Sequence, residues 1–241
     1  MNVHLLGRID LKHSLALQDR LVYEAGELES PPVTLLLGEH PLSISLGRSG
    51  SRGDIHFSQR DLEVRAIPVN WVSRGGGAML HGPGQLAIYP VVSLERCGWT
   101  VGQFFRRLLA GVEATCRELG WTVQVDPVGT VWGRTGPIAA TGIAVRYGVC
   151  LHGMWLNLNP DMYLMQRVGA VTPRADYGEI GAKSERGKPE KLSSVLSETG
   201  RPAKMNRVKT VLVEQLAAAF ETGKFHLQHG HPLLQTDIQS S

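Results

Sequence analysis

The sequence predicts one mixed α/β (α+β) domain, a mixed and largely antiparallel sheet flanked by helices. Three observations predict it. Apolar residues recur at the 3.6-residue period near both ends of the chain and again in its middle. Between those stretches run short β-branched segments separated by glycine turns. At 241 residues, 42% hydrophobic and 20% charged, the chain has the length and the ordinary composition to bury a sizeable core. Residues 1–223 are read as the domain and residues 224–241 as a polar tail expected to fray.

Residues 11–27 bring Leu15, Leu17, Leu21 and Val22 near one face, with Gly26 as a stop, and read as a helix. Pro31 and Pro32 break the chain. Residues 33–48 read as two short strands around a Glu-His-Pro turn, and residues 47–59 as a polar loop. Residues 65–72 and 85–94 read as strands on either side of a glycine-rich loop. Residues 100–119 are the clearest helix: Val101, Phe104, Phe105, Leu108, Val112, Cys116 and Leu119 share a face, Thr100 is the expected N-cap and Gly120 the stop. Residues 121–159 read as a run of strands, 161–168 as a short helix or turn, 183–191 as a charged exposed loop, and 206–222 as the last helix.

The net charge of +3 is a weak preference for acidic partners. No lysine–arginine stripe with interleaved aromatics suggests nucleic acid. No apolar run approaches the ~18 residues of a membrane span, and no signal peptide is evident, so no membrane partner is expected. Cys97, Cys116 and Cys150 form no CxxC pair, which points to a reducing, cytoplasmic setting.

The stretch that asks for a function is RGGGAMLHGPGQ, residues 74–85. Gly75, Gly76 and Gly77 strip three side chains from a strand exit, so backbone N–H groups can approach a ligand. Arg74 supplies a forked cation and His81 a nitrogen that titrates near neutrality. No helix starts at the loop and no GK[ST] follows, so neither a dinucleotide fingerprint nor a phosphate loop is present. The plainer reading is a tight glycine-rich hairpin.

RGGGAMLHGPGQLAIYP resembles the hallmark motif of the lipoyl (octanoyl) transferases, with Leu80 where that family usually has tyrosine. ALQDRLVYE resembles the family's first helix, EHPLSISLGR its strand pair, and TGIAVRYGVCLHGMWLNLNPD its segment ending in His-Gly, Leu-Asn and Asp. The resemblance spans residues 11–220. It implies a fold like the biotin and lipoate ligases and an acyl pocket. That pocket would be lined by Arg74, Gly75, Gly76, Gly77, Ala78, Met79, Leu80 and His81, by Ala140, Thr141 and Gly142, and by His152, Gly153 and Met154. The partners it implies are acyl carrier protein and lipoyl-domain proteins. A medium-length acyl chain suits such a place: small side chains leave a narrow apolar slot, and fixed donors meet the thioester carbonyl.

The family passes the acyl group through a cysteine whose thiol is acidified by a nearby lysine. Here the lysine position falls on Pro137 and the cysteine position on Val171, with Thr172 the nearest hydroxyl. The sequence holds no cysteine after Cys150. Cys150 and His152 fall on one face of a strand if the period of two holds, which leaves a relocated Cys–His pair open; the plainer reading makes Cys150 a small buried hydrophobe. Three functions follow. The first is a family member that binds an octanoyl or lipoyl group with impaired or absent covalent catalysis. The second is an acyltransferase working by direct attack, with His81 or His152 as base, or through Cys150. The third, disfavoured by Pro137, is an ATP-dependent ligase. No metal and no cofactor are predicted, because no third ligand stands near His81 and His152.

Overall fold

The computed structural model describes residues 1–29, 32–169 and 191–235. In chain order the strands and helices are β1 (Asn2–Arg8), α1 (Leu11–Glu27), β2 (Thr34–Glu39), β3 (Ser43–Leu46), α2 (Gln59–Val64), β4 (Val69–Trp71), β5 (Ala78–His81), β6 (Gln85–Ser93), α3 (Leu94–Cys97), α4 (Val101–Glu118), β7 (Gln124–Val125), β8 (Val131–Trp132), β9 (Pro137–Arg146), β10 (Val149–Asn157), α5 (Met162–Met165), α6 (Val195–Thr199), α7 (Met205–Ala219), β11 (His226–His229) and α8 (Pro232–Gln235). Eight strands make one sheet in the order β11-β1-β2-β6-β10-β9-β8-β7, and three make a small sheet in the order β4-β3-β5. In the large sheet β1 runs parallel to both β11 and β2, and the remaining pairs are antiparallel. The mixed, largely antiparallel sheet matches the sequence expectation.

Alternation assigns the two faces. In β2, Leu35 and Leu37 enter the core beneath α4 and α7, while Leu36 enters the core beneath α1. The first core gathers Phe104, Leu108, Val112 and Cys116 of α4 with Val208, Leu212 and Leu216 of α7, and the two helices pack on each other. The second takes Leu17, Leu21 and Val22 of α1, the face predicted for that helix. A third core lies behind the small sheet, where Ile44, Leu46, Ala78 and Leu80 meet Phe57, Ile67, Leu164 and Met165.

Thr100 caps α4 as expected. Its hydroxyl accepts from Gln103 N at 3.2 Å, and the Gln103 side chain accepts from Thr100 N at 2.8 Å. Three expectations change. The strand expected over 65–72 shrinks to β4, because α2 occupies 59–64, started by a reciprocal Ser58–Asp61 cap. The first residues, left unassigned by pattern, form β1. The tail from residue 224 does not fray within its described part. β11 pairs with β1 in register Asn2↔His226, and Gly230 N donates to Leu5 O at 2.8 Å. The side chains of β11 are all exposed, so no apolar alternation marks it; the free backbone edge of β1 recruits it. The 183–191 loop falls, up to residue 190, outside the described residues.

Candidate functional site

The glycine loop lies between β4 and β5 and rests on β9. Gly75 N donates to Ile143 O at 3.0 Å. The turn after β3 braces it from the other side: Gly47 N donates to Gly77 O at 3.1 Å, Arg48 N to Arg74 O at 3.0 Å and Ser49 N to Gly76 O at 3.1 Å. The approach is close enough to require glycine in β9. A Cβ at Gly142 would stand 2.7 Å from Gly75 O, 3.1 Å from Arg74 Cδ and 3.3 Å from Trp155. The Gly75 N–H and the carbonyls of Arg74, Gly76 and Gly77 therefore face the scaffold, while a Cβ at Gly77 would meet nothing within 4 Å.

Arg74 is 2% exposed. Its Nη1 donates to Gly75 O at 2.9 Å, and its Nη2 to Ser45 O at 3.0 Å and to Ser45 Oγ at 2.7 Å. Its guanidinium lies over the Trp155 ring at 5.0 Å. Nε has no partner. Arg74 forms no ion pair among the described residues. Burial lowers its pKa to about 10, so it stays charged at neutral pH. A buried cation without a counter-charge makes the surroundings positive, which suits an oxygen gaining negative charge.

Two imidazoles, His81 and His152, feel the charge of Arg74, a third, His40, lies against His81, and all three have lowered pKa values. His81 is fully buried. Its Nδ1 lies 3.0 Å from Gln85 Oε1 and its Nε2 2.7 Å from Ser45 Oγ. Burial first, then the nearby charges of His40 and Arg74, push its pKa well down. His40 is lowered by burial and held between Ile9 O and the Tyr89 hydroxyl, each at 2.8 Å. His152 sits at φ 59°, a left-handed turn inside β10. Its backbone N donates to Gln18 Oε1 at 2.8 Å, and its Nε2 lies 3.3 Å from Ser73 Oγ. Burial, with Arg74 and Arg146 adding, brings its pKa to about 4.

The fold brings Arg74, Gly75, His81 and Gly142 together around Trp155, with His152 beside them next to Ser73. Other predicted lining residues face elsewhere. Ala78 and Leu80 point into the core behind the small sheet, and Met154 into the core beneath α4 and α7. Thr141 donates its hydroxyl to Gly129 O at 2.6 Å, on the face opposite Ala140 and Gly142. Gly153 permits the close pairing of β10 with β6: a Cβ there would stand 2.1 Å from Ile88 O. Between Arg74 and His81 the space holds Trp155, whose ring centroid is 5.3 Å from that of His81. A cleft of about 550 Å³ lies instead at the β8 edge, lined by Trp121, Trp132, Arg134, Ile138 and Glu198 among others.

Cys150 does not pair with His152. It is fully buried in the core beneath α4 and α7, and burial alone raises its thiol to about 12. The positive φ at His152 breaks the alternation that would have aligned the two. Cys116, also in that core, is likewise raised to about 12, and burial raises half-buried Cys97. Pro137 opens β9, is buried, and accepts a hydrogen bond from Ser193 N at 2.8 Å. Val171 and Thr172 lie outside the described residues. No group of three His, Cys, Asp or Glu side chains among the described residues is placed to hold a metal ion, and no described helix is long and apolar enough to cross a membrane.

Sequence reasoning missed Ser45, Gln85, Tyr89, Trp155 and Asn157, which surround Arg74 and His81. The Gln85 signal was available, since the residue closes the glycine motif itself.

A model of the lipoyl protein ligase A/B catalytic domain matches residues 10–217. The chain belongs to that family. The octanoyltransferase of Geotalea uraniireducens (strain Rf4) is 37% identical over 227 residues, 92% of each chain. That of Roseiflexus sp. (strain RS-1) is 32% identical over 227 residues, 92% of this chain and 88% of the relative. Among solved structures, a bipartite lipoate protein ligase from Thermoplasma acidophilum, described with its E2 lipoyl domain, aligns with a TM-score of 0.72 at 18% identity, covering 98% of this chain and 89% of that one. Lipoate-protein ligase A bound with ATP aligns at 0.68 and 15% identity, covering 98% and 92%. This octanoyltransferase-family chain thus has the lipoate-ligase fold.

Proposed function

We propose that this family member handles a medium-chain acyl group, octanoyl or lipoyl, in protein lipoylation, and that its covalent relay is impaired or absent. The acyl group would come from acyl carrier protein, and the partner that receives it would be a lipoyl-domain protein. The observation that carries the reading is the state of the relay positions. Pro137, which has no amine, stands where the resembling family has its lysine, and Val171 where it has its cysteine. The three cysteines present all have raised thiol pKa values, so little thiolate forms near neutrality. Loss of a nucleophile in a coupled catalytic unit costs on the order of 10⁴ to 10⁶ in kcat. Support for retained acyl handling comes from the charged Arg74, the glycine loop held on β9, and the small residues Ala140 and Gly142 beside it.

A second reading has one observation in its favour. His152 is neutral at physiological pH and is joined to exposed Ser73, so it can accept a proton from a lysine attacking a bound thioester directly. Its low pKa makes it a weak base for that task.

Incubation with octanoyl-acyl carrier protein and a lipoyl domain, read by intact mass, separates these. The expected result is octanoyl binding with no mass gain on this chain and turnover near background. Efficient octanoylation of the domain refutes the impaired-relay reading, and its loss in His152→Gln supports direct attack. A mass gain on this chain that Cys150→Ala abolishes shows a relocated nucleophile. Absence of any octanoyl binding removes the acyl-handling reading altogether.

A further inference from the structure

The hydrogen bonds around Arg74 all run one way. A guanidinium can only donate, so Arg74 Nη2 gives a proton to Ser45 Oγ at 2.7 Å. The hydroxyl's own proton then goes to His81 Nε2, also at 2.7 Å. A neutral ring that accepts at Nε2 carries its proton on Nδ1, which donates to Gln85 Oε1 at 3.0 Å. The amide of Gln85 donates in turn to Asn157 Oδ1 at 2.9 Å, and Asn157 Nδ2 donates to the carbonyl of Ser193 at 3.2 Å. Reversing the ring of His81 would set its bare Nδ1 against Gln85 Oε1, acceptor against acceptor.

A second chain runs beside the first. Trp155 Nε1 donates to the Tyr89 oxygen at 2.8 Å, the Tyr89 hydroxyl to His40 Nε2 at 2.8 Å, and His40 Nδ1 to Ile9 O at 2.8 Å. The two chains meet where the guanidinium lies on the Trp155 ring. All the side chains that link them, Ser45, His81, Gln85, Asn157, Tyr89 and His40, are buried. Water therefore offers no easy substitute partner, and each link constrains the next.

We propose that Ser45, Gln85 and Asn157 are positioning residues: with His81 they form a one-way relay that aims the Arg74 fork and fixes His81 as its Nδ1–H tautomer. Asn157 reaches Arg74 only through three intervening side chains. The relay ends at Ser193, whose N–H is bonded to Pro137 O, so it ties the glycine loop to the start of β9. The consequence for acyl binding rests on the function proposed above; the tautomer and the held guanidinium do not.

The test uses the full chain labelled with ¹⁵N. Imidazole spectra between pH 7.5 and 5.5 are expected to show His81 as a single Nδ1–H form, and the Arg74 Nη2–H protons, which donate to Ser45, are expected to exchange slowly. Gln85→Leu removes the acceptor and should mix the two tautomers. Asn157→Leu unties the far end of the relay and should speed Arg74 Nη2–H exchange roughly tenfold, the scale of one weakened buried hydrogen bond. Gln85→Glu keeps the acceptor and should keep the tautomer. Octanamide binding, followed in parallel, should weaken roughly tenfold in Asn157→Leu. A wild-type His81 protonated on Nε2, or charged at pH 6, overturns the relay without any variant having to fold. Arg74 exchange indifferent to Asn157→Leu overturns the positioning role. If wild type shows the expected tautomer and slow exchange but binds no octanamide, the relay stands and the acyl reading falls.

Discussion

Gly142→Ala puts a methyl group where β9 touches the glycine loop. The added carbon would stand 2.7 Å from Gly75 O and 3.1 Å from Arg74 Cδ. A carbon and a carbonyl oxygen rest at about 3.3 Å or more, so Gly75 must retreat by about 0.6 Å. Its amide is bonded to Ile143 O at 3.0 Å, and the same retreat stretches that bond past useful length. The lost bond costs about 1 kcal/mol, and crowding in a packed region adds about 1–3 kcal/mol. A total near 2–4 kcal/mol in a chain of this size lowers the melting temperature by roughly 4–16 °C. The assay is thermal and urea unfolding beside Gly77→Ala, whose new carbon meets nothing within 4 Å and which should stay within about 0.5 kcal/mol of wild type. Octanamide binding should drop in the first variant and hold in the second. Equal stability of the two variants would refute the claim that the loop is pressed onto β9.

Gly153→Ala should be harsher, because its carbon would stand 2.1 Å from the backbone oxygen of Ile88 in the central β6–β10 pair; a loss of about 3 kcal/mol or more is expected by urea unfolding. Arg74→Lys trades a planar fork with three hydrogen bonds for an ammonium that cannot reproduce them, and should cost about 2–3 kcal/mol by the same measurement. Stability should fall with acid. The pKa of His152 is about 4 when folded and about 6.5 when unfolded, so the unfolded chain takes the proton first. Its contribution is complete above pH 6.5 and is lost progressively down to pH 4, about 3 kcal/mol for this residue alone, with His40 and His81 shifted in the same direction. His152→Gln should flatten part of that slope in urea titrations at pH 7 and pH 4.5.

Much of the fold was readable because its signals are local. Thr100 and Gln103 are three residues apart, and the apolar face of α4 repeats within its own length. The leucines of β2 alternate between two cores with no reference to anything distant. The site was half readable. Arg74, the glycines and His81 form one short motif, and Gln85 closes it. What escaped were partners set by strand order: Ser45 stands 36 residues from His81, and Asn157 stands 72 from Gln85. The Cys150–His152 pairing failed for another reason. Period-two reasoning assumes extended backbone, and the left-handed turn at His152 is visible only in three dimensions.

The sequence by itself determined the family, the three long helices α1, α4 and α7, and the sheet strands with apolar alternation. These are matters of residue type and short-range period. Only the tertiary structure decided that residues 226–229 join the sheet, that the cysteines lie buried or half-buried with raised thiol pKa values, and that Arg74 is a sealed cation on an indole ring. Burial and hydrogen-bond partnership depend on which distant segments the sheet order places side by side, and no local pattern encodes that.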